Sequence, residues 1–75
     1  MSRITFKRLT PEESAIHDAD GDRVGEVHRQ PDILNAGKHY YIVWLDEDPR
    51  GYVRVFDRSR IRDVAQERLD SHPYY

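Results

Sequence analysis

The densest apolar stretch of the chain is HYYIVWLDEDPRGYVRVFD, running from His39 to Asp57. It predicts two strands, Tyr40–Asp46 and Tyr52–Asp57, because β-branched and aromatic residues favour a pleated surface. Pro49 and Gly51, within the intervening Glu47–Gly51, favour a chain reversal. The first strand is apolar on both sides, with Tyr41, Val43 and Leu45 pointing one way and Tyr40, Ile42 and Trp44 the other. Such a strand belongs in the interior of a sheet, with cover on each side.

The flanking segments carry other periods. Ile4 and Phe6 alternate with polar residues and predict a strand over residues 3–9 with both side chains inward. Thr10-Pro11-Glu12-Glu13 has the form of a helix start, with Thr10 as cap, Pro11 first and Glu13 closing a capping box. Only Ala15 and Ile16 follow before the turn-forming Asp18-Ala19-Asp20-Gly21-Asp22. A one-turn helix ahead of a short strand Ser14–His17 satisfies this pattern, as does a two-turn helix ending near His17. The Asp20-Gly21 turn and the strand-like Val24–His28 behind it favour the first, as a hairpin. Val24 and Val27 differ in parity, which predicts a bulge at Gly25. Gln30–Lys38, with Pro31, Asn35 and Gly37, reads as a connection, with Ile33 and Leu34 folded back as a small lid. A helical period then appears: Ile61, Val64, Ala65 and Leu69 form one stripe and predict a helix over Ser59–Ser71. Ser59 is the expected cap, with Asp57 its competitor. Pro73 stops the helix and leaves His72–Tyr75 as a tail.

The predicted fold is α+β: a small antiparallel sheet of about four strands in a meander, with one C-terminal helix packed on one face. The helix stripe matches Val53 and Val55 alongside Tyr41, Val43 and Leu45. Tyr40, Ile42, Trp44, Tyr52, Arg54 and Phe56 are then left on the other face without a second helix. The N-terminal strand, the Ile33-Leu34 segment or the Tyr74-Tyr75 tail are the segments able to cover it.

Composition narrows the function classes. At 75 residues, 37% hydrophobic and 35% charged, the chain makes one domain with a lean core; a chain this short buries only about 60 to 65% of its unfolded surface. It has no cysteine, hence no disulfide or thiolate metal site, in keeping with a reducing cytoplasm. The longest apolar run, Tyr40–Leu45, falls far short of the roughly 20 residues a membrane-spanning helix needs. A net charge of −2 gives no bulk attraction to nucleic acid or anionic lipid.

Three groups of residues carry candidate chemistry. The first is the aromatic face: Tyr40, Trp44, Tyr52, Arg54 and Phe56 are of the types that anchor protein interfaces, and the ordinary alternative is a second small core. The second is acidic. In a meander the turns at 18–22 and 46–48 share one end of the sheet, so Asp18, Asp20, Asp22, Asp46, Glu47 and Asp48 would form a rim that attracts a basic partner; ordinary turn chemistry also accounts for them. The third is basic: Arg50, Arg54, Arg58, Arg60 and Arg62 fall within thirteen residues. Arginine at a helix start opposes the helix dipole, which leaves these positions either for an anionic partner or for ion pairs with Asp57, Asp63 and Glu67. Asp18–Asp22 does not make a calcium loop, since the sixth and twelfth positions counted from Asp18 are Arg23 and Arg29. His17, His28, His39 and His72 are scattered, and no nucleophile, base or glycine-rich phosphate loop has its local context. No catalytic residue, metal ligand or cofactor is assigned.

The segment Arg23–Asp70, in which Val53-Arg54-Val55-Phe56-Asp57 runs into the helix, resembles the DNA-binding domain of plant ethylene-response factors and the arm-binding domain of tyrosine recombinases. The resemblance implies groove recognition from the sheet face by Arg23, Arg29, Trp44 and Arg54, and Arg58, Arg60 and Arg62 would add phosphate contacts. In size, α+β pattern, acidic rim and lack of catalytic residues the chain also resembles small phage-encoded inhibitors, anti-CRISPR proteins among them. That resemblance implies a non-enzymatic protein that occludes a surface of a protein or nucleoprotein partner. A small DNA-binding module and a homodimer joined through the aromatic face are the alternatives.

Overall fold

The computed structural model describes residues 3–71. Five strands form one antiparallel sheet in sequence order: β1 (Thr5–Thr10), β2 (Glu13–His17), β3 (Arg23–Pro31), β4 (His39–Leu45) and β5 (Val53–Val55). A 3₁₀ turn, Arg58–Arg60, leads into the helix α1 (Ile61–Asp70). The fold is therefore the expected α+β meander with one C-terminal helix, with five strands in place of about four.

β2 is the favoured short strand Ser14–His17 with Glu13 added, without the helical turn expected ahead of it. Thr10-Pro11-Glu12-Glu13 builds no helix; it is the tight turn joining β1 to β2. Its capping chemistry survives in miniature: the Thr10 hydroxyl donates to Glu13 Oε1 at 3.1 Å and accepts the Glu12 N–H at 3.2 Å. Too few residues follow to propagate a helix, and Ala15 and Ile16 gain more from pairing on both sides, with β1 and with β3.

Side-chain parity divides the sheet into two faces. Phe6, Ile16, Val27, Val43 and Val55 lie on one side with Leu45, and the stripe Ile61, Val64, Ala65 and Leu69 packs against them. Ile4, Ile16, Val43 and Ala65 are at most 1% exposed and mark the centre of the core. Two helix side chains hold the start of the sheet edge: Gln66 Oε1 accepts the Ile4 N–H at 3.1 Å, and Arg62 donates to the Ile4 carbonyl at 2.6 Å.

The irregularity expected at Gly25 sits one residue earlier. Ile16 pairs with Gly25 and His17 with Arg23, so Val24 is the extra residue of the ladder and Gly25 shares the core side with Val27. Neither expected residue caps α1, whose cap position is Arg60 without a side-chain bond; Asp57, the competitor, caps the 3₁₀ turn that leads into it. Asp57 accepts the Ser59 N–H at 3.0 Å and the Ser59 hydroxyl at 2.7 Å, and these bonds, the hydroxyl first, hold its carboxyl below the ordinary range.

Ile33 and Leu34 do not fold back. Each is 92% exposed, at the tip of the β3–β4 hairpin. The tip is ordered by Asp32, which accepts the Leu34 N–H and the Asn35 side-chain amide, so the turn's own hydrogen bonds direct both apolar residues outward. Residues 72–75, which include His72, Pro73 and the Tyr74-Tyr75 tail, lie outside the described residues.

Candidate functional site: the open sheet face and its charged ends

Because α1 covers one side only, no element among the described residues covers the other. On it β4 presents Tyr40, Ile42 and Trp44, each half-buried by neighbours in the same sheet rather than by a second layer. Phe56 (67% exposed) lies against Tyr40 with ring centroids 5.8 Å apart, and the Arg54 guanidinium sits over the Tyr40 ring at 5.8 Å. Tyr52, just ahead of β5, is 56% exposed. Of the cluster expected from parity, Tyr40, Trp44, Arg54 and Phe56 share one surface.

Trp44 ends this patch on a polar network. Glu26 is paired with Trp44 across β3 and β4, and His28 lies two residues along on the same face. The His28 and Trp44 rings are 4.7 Å apart. Glu13 pairs directly with His28 across β2 and β3. His28 Nε2 donates to Glu26 Oε1 at 2.9 Å and approaches Glu13 Oε2 at 3.2 Å, while Arg23 holds the other Glu26 oxygen. The bond from His28, then the charge of Arg23, lower the Glu26 pKa. Glu13, Glu26 and His28 bring one ligand atom each within 4.8 Å of the others, and they are the residues that could hold a divalent cation among those described. The i, i+2 spacing of Glu26 and His28 was visible in the sequence, whereas Glu13 joins them only through strand register.

The two acidic turns meet at one end, as the meander requires. Asp18, Asp22, Asp46 and Glu47 line a common cleft there, beside Arg23. Asp18 Oδ1 also accepts the N–H groups of Asp20 and Asp22, at 3.0 and 2.9 Å, which fixes the turn. Arg23 reaches Asp46 at 3.5 Å and neutralises part of this charge. Asp48 departs from the rim. Its side chain is inaccessible, clamped by Arg50 and approached by Arg68, and it belongs to the structure rather than to an exposed carboxylate surface.

The six arginines proposed for nucleic acid do not form one surface. Arg54 pairs with Ile42 and lies on the open face; Arg29 pairs with Tyr41 and lies on the helix side, where Arg58 and Arg62 join it. Arg23 is held by Glu26 and Asp46 at the acidic end, and Arg60 stands beside Asp57. Of the arginines expected at the sheet face, Arg54 shares the exposed surface of Trp44 and Arg23 reaches it only as the ion-pair partner of Glu26, while parity sends Arg29 to the opposite side.

These features define a small α+β protein with a one-sided helical cover and an open, aromatic sheet face. No protein-family model matches the chain, and no curated protein or solved structure is detectably similar to it. Among the described residues, no helix is long and apolar enough to cross a membrane.

Proposed function

We propose that this chain is a non-enzymatic, cytoplasmic binding protein that occludes a surface of a larger protein or nucleoprotein. The observation that carries this reading is the open sheet face, with Tyr40, Ile42, Trp44 and Phe56 on one surface and no second layer over them among the described residues. Aromatic rings bring large contact area at low conformational cost, and Trp44 is braced by His28, so it is already oriented for contact. Asp20, Asp22, Asp46 and Glu47 lie beyond the Trp44 end of the face. They favour a partner whose contact surface is apolar at its centre and basic at its rim. A protein that normally holds nucleic acid has such a surface, and an inhibitor of the anti-CRISPR type is the most concrete form of the reading.

The test is capture by the immobilised chain from a bacterial lysate, followed by binding kinetics with the captured partner. Trp44→Ala should weaken association by about 2 kcal/mol, roughly thirtyfold. Asp46→Lys should mainly slow association, and Leu34→Asp, at the remote hairpin tip, should change neither. Equal binding by Trp44→Ala overturns the reading. So does a dimer in light scattering that Trp44→Ala dissociates, because the face is then filled by a second copy.

A further inference from the structure

The helix side of the sheet is not fully covered either. α1 begins at Ile61 and runs toward the acidic end, where Leu69 reaches the cleft beside Leu45. The opposite end of the sheet, near the β1–β2 turn, therefore lies beyond the helix start and forms an open groove of about 400 Å³.

Four arginines from four elements surround it: Arg8 from β1, Arg29 from β3, Arg58 from the 3₁₀ turn and Arg62 from α1. Arg62 is fixed by its bond to the Ile4 carbonyl and lies over the Phe6 ring at 5.2 Å. Arg8, Arg29 and Arg58 have no ion pair among the described residues. Among the described residues, Glu12 is the single carboxylate on the rim. This gathering of positive charge stands out in a chain whose net charge is −2, and the positive end of the α1 dipole adds to it. Phe6, Val27 and Tyr41 supply apolar surface in the groove; Ser14, opposite Val27 in the ladder, supplies a hydroxyl.

We propose that this groove binds a phosphate ester, either a free nucleotide or the backbone of a single-stranded nucleic acid. Guanidinium groups converging from separate elements suit a tetrahedral, multiply charged oxyanion, which accepts donors from several directions. A single carboxylate is planar and is satisfied by one fork. The apolar patch between the arginines suits the flat organic part of an ester better than an inorganic ion. The site lies on the opposite side of the sheet from the aromatic face, so it stands or falls separately from the proposed docking function.

Isothermal titration with ADP and with pyrophosphate, and anisotropy of a labelled oligothymidylate of about ten nucleotides, test the site at about 50 mM salt. ADP should bind saturably and more tightly than pyrophosphate. Arg29→Gln and Arg58→Gln should each weaken binding about tenfold. Both variants relieve like-charge repulsion and should melt no lower than the parent protein. Arg54→Gln, on the other face, and Arg60→Gln, outside the groove, should leave affinity unchanged. A tighter complex with the oligonucleotide through the same arginines identifies a strand as the ligand, and a tighter complex with ADP identifies a free nucleotide. Absence of saturable binding by all three probes overturns the site, as does an equal loss in Arg54→Gln or Arg60→Gln.

Discussion

Arg50 grips Asp48 with both ends of its guanidinium, Nε to Oδ1 at 2.8 Å and Nη2 to Oδ2 at 2.7 Å. The same guanidinium donates to the Arg68 carbonyl at 3.0 Å and to the Ser71 hydroxyl at 3.1 Å. One side chain therefore locks the β4–β5 turn to the last turn of α1 and satisfies one of the carbonyls that a helix end leaves free, that of Arg68. Asp48 accepts the Arg50 backbone N–H as well, at 2.9 Å, so the turn and the clamp share one carboxylate.

Arg50→Ala should accordingly destabilise the fold by about 2 to 3 kcal/mol, measured by urea denaturation. It leaves a buried carboxylate short of its main partner and removes the Arg50 bond to the Arg68 carbonyl. The low end of the range for buried pairs applies because the Arg50 side chain is 37% exposed and partly screened. A change below about 0.5 kcal/mol would show that Arg68 alone can hold Asp48.

The clamp also sets a pH dependence. Hydrogen bonds from the Arg50 side chain, then its backbone N–H and its charge, hold the Asp48 carboxyl well below its ordinary value of 3.8. The folded state stays ionised where the unfolded chain takes up a proton. The contribution is therefore complete above about pH 5 and is lost as pH falls toward the folded-state value. Glu26 and Asp57 shift in the same direction and add to the trend. Thermal melts from pH 7 to about pH 3 should show the gap between the parent protein and Asp48→Asn narrowing with acid. A constant gap would contradict the linkage.

Gly25→Ala should be among the most damaging single-methyl additions in the chain. A Cβ there would overlap the Trp44 carbonyl oxygen and lie 3.0 Å from Leu45 Cα, both backbone atoms of the neighbouring strand β4. No rotamer relieves the clash, so β3 and β4 must separate; a loss of about 3 kcal/mol or more is expected in chemical denaturation. Gly21→Ala is the useful contrast, because its turn is open and the substitution meets only the strain of φ 88°.

Local pattern was enough to place the central strands, the helix stripe and the division of β4 into two faces, because periods of 2 and 3.6 are written into neighbouring residues. It also placed the two acidic turns at one end, since a meander alternates its turns between ends. Residues 10–17 were ambiguous because a capping signal spans only four residues, and whether it starts a helix depends on what pairs with the next five. Ile33 and Leu34 looked like a lid because hydrophobicity carries no direction; the hydrogen bonds of Asp32 decided that they point outward.

Asp48 read as a surface turn carboxylate until Arg50 and Arg68 were brought to it, the latter across 20 positions of sequence. The groups formed by Glu13, Glu26 and His28, and by Arg8, Arg29, Arg58 and Arg62, were illegible for a related reason: each draws on separate elements, and only strand register and the helix's point of entry place them together. The sequence by itself determined which residues share a face, since that is a property of one strand or one helix. The tertiary structure decided which faces are covered and which charges meet, because both depend on where a helix ends over a sheet that is longer than it is.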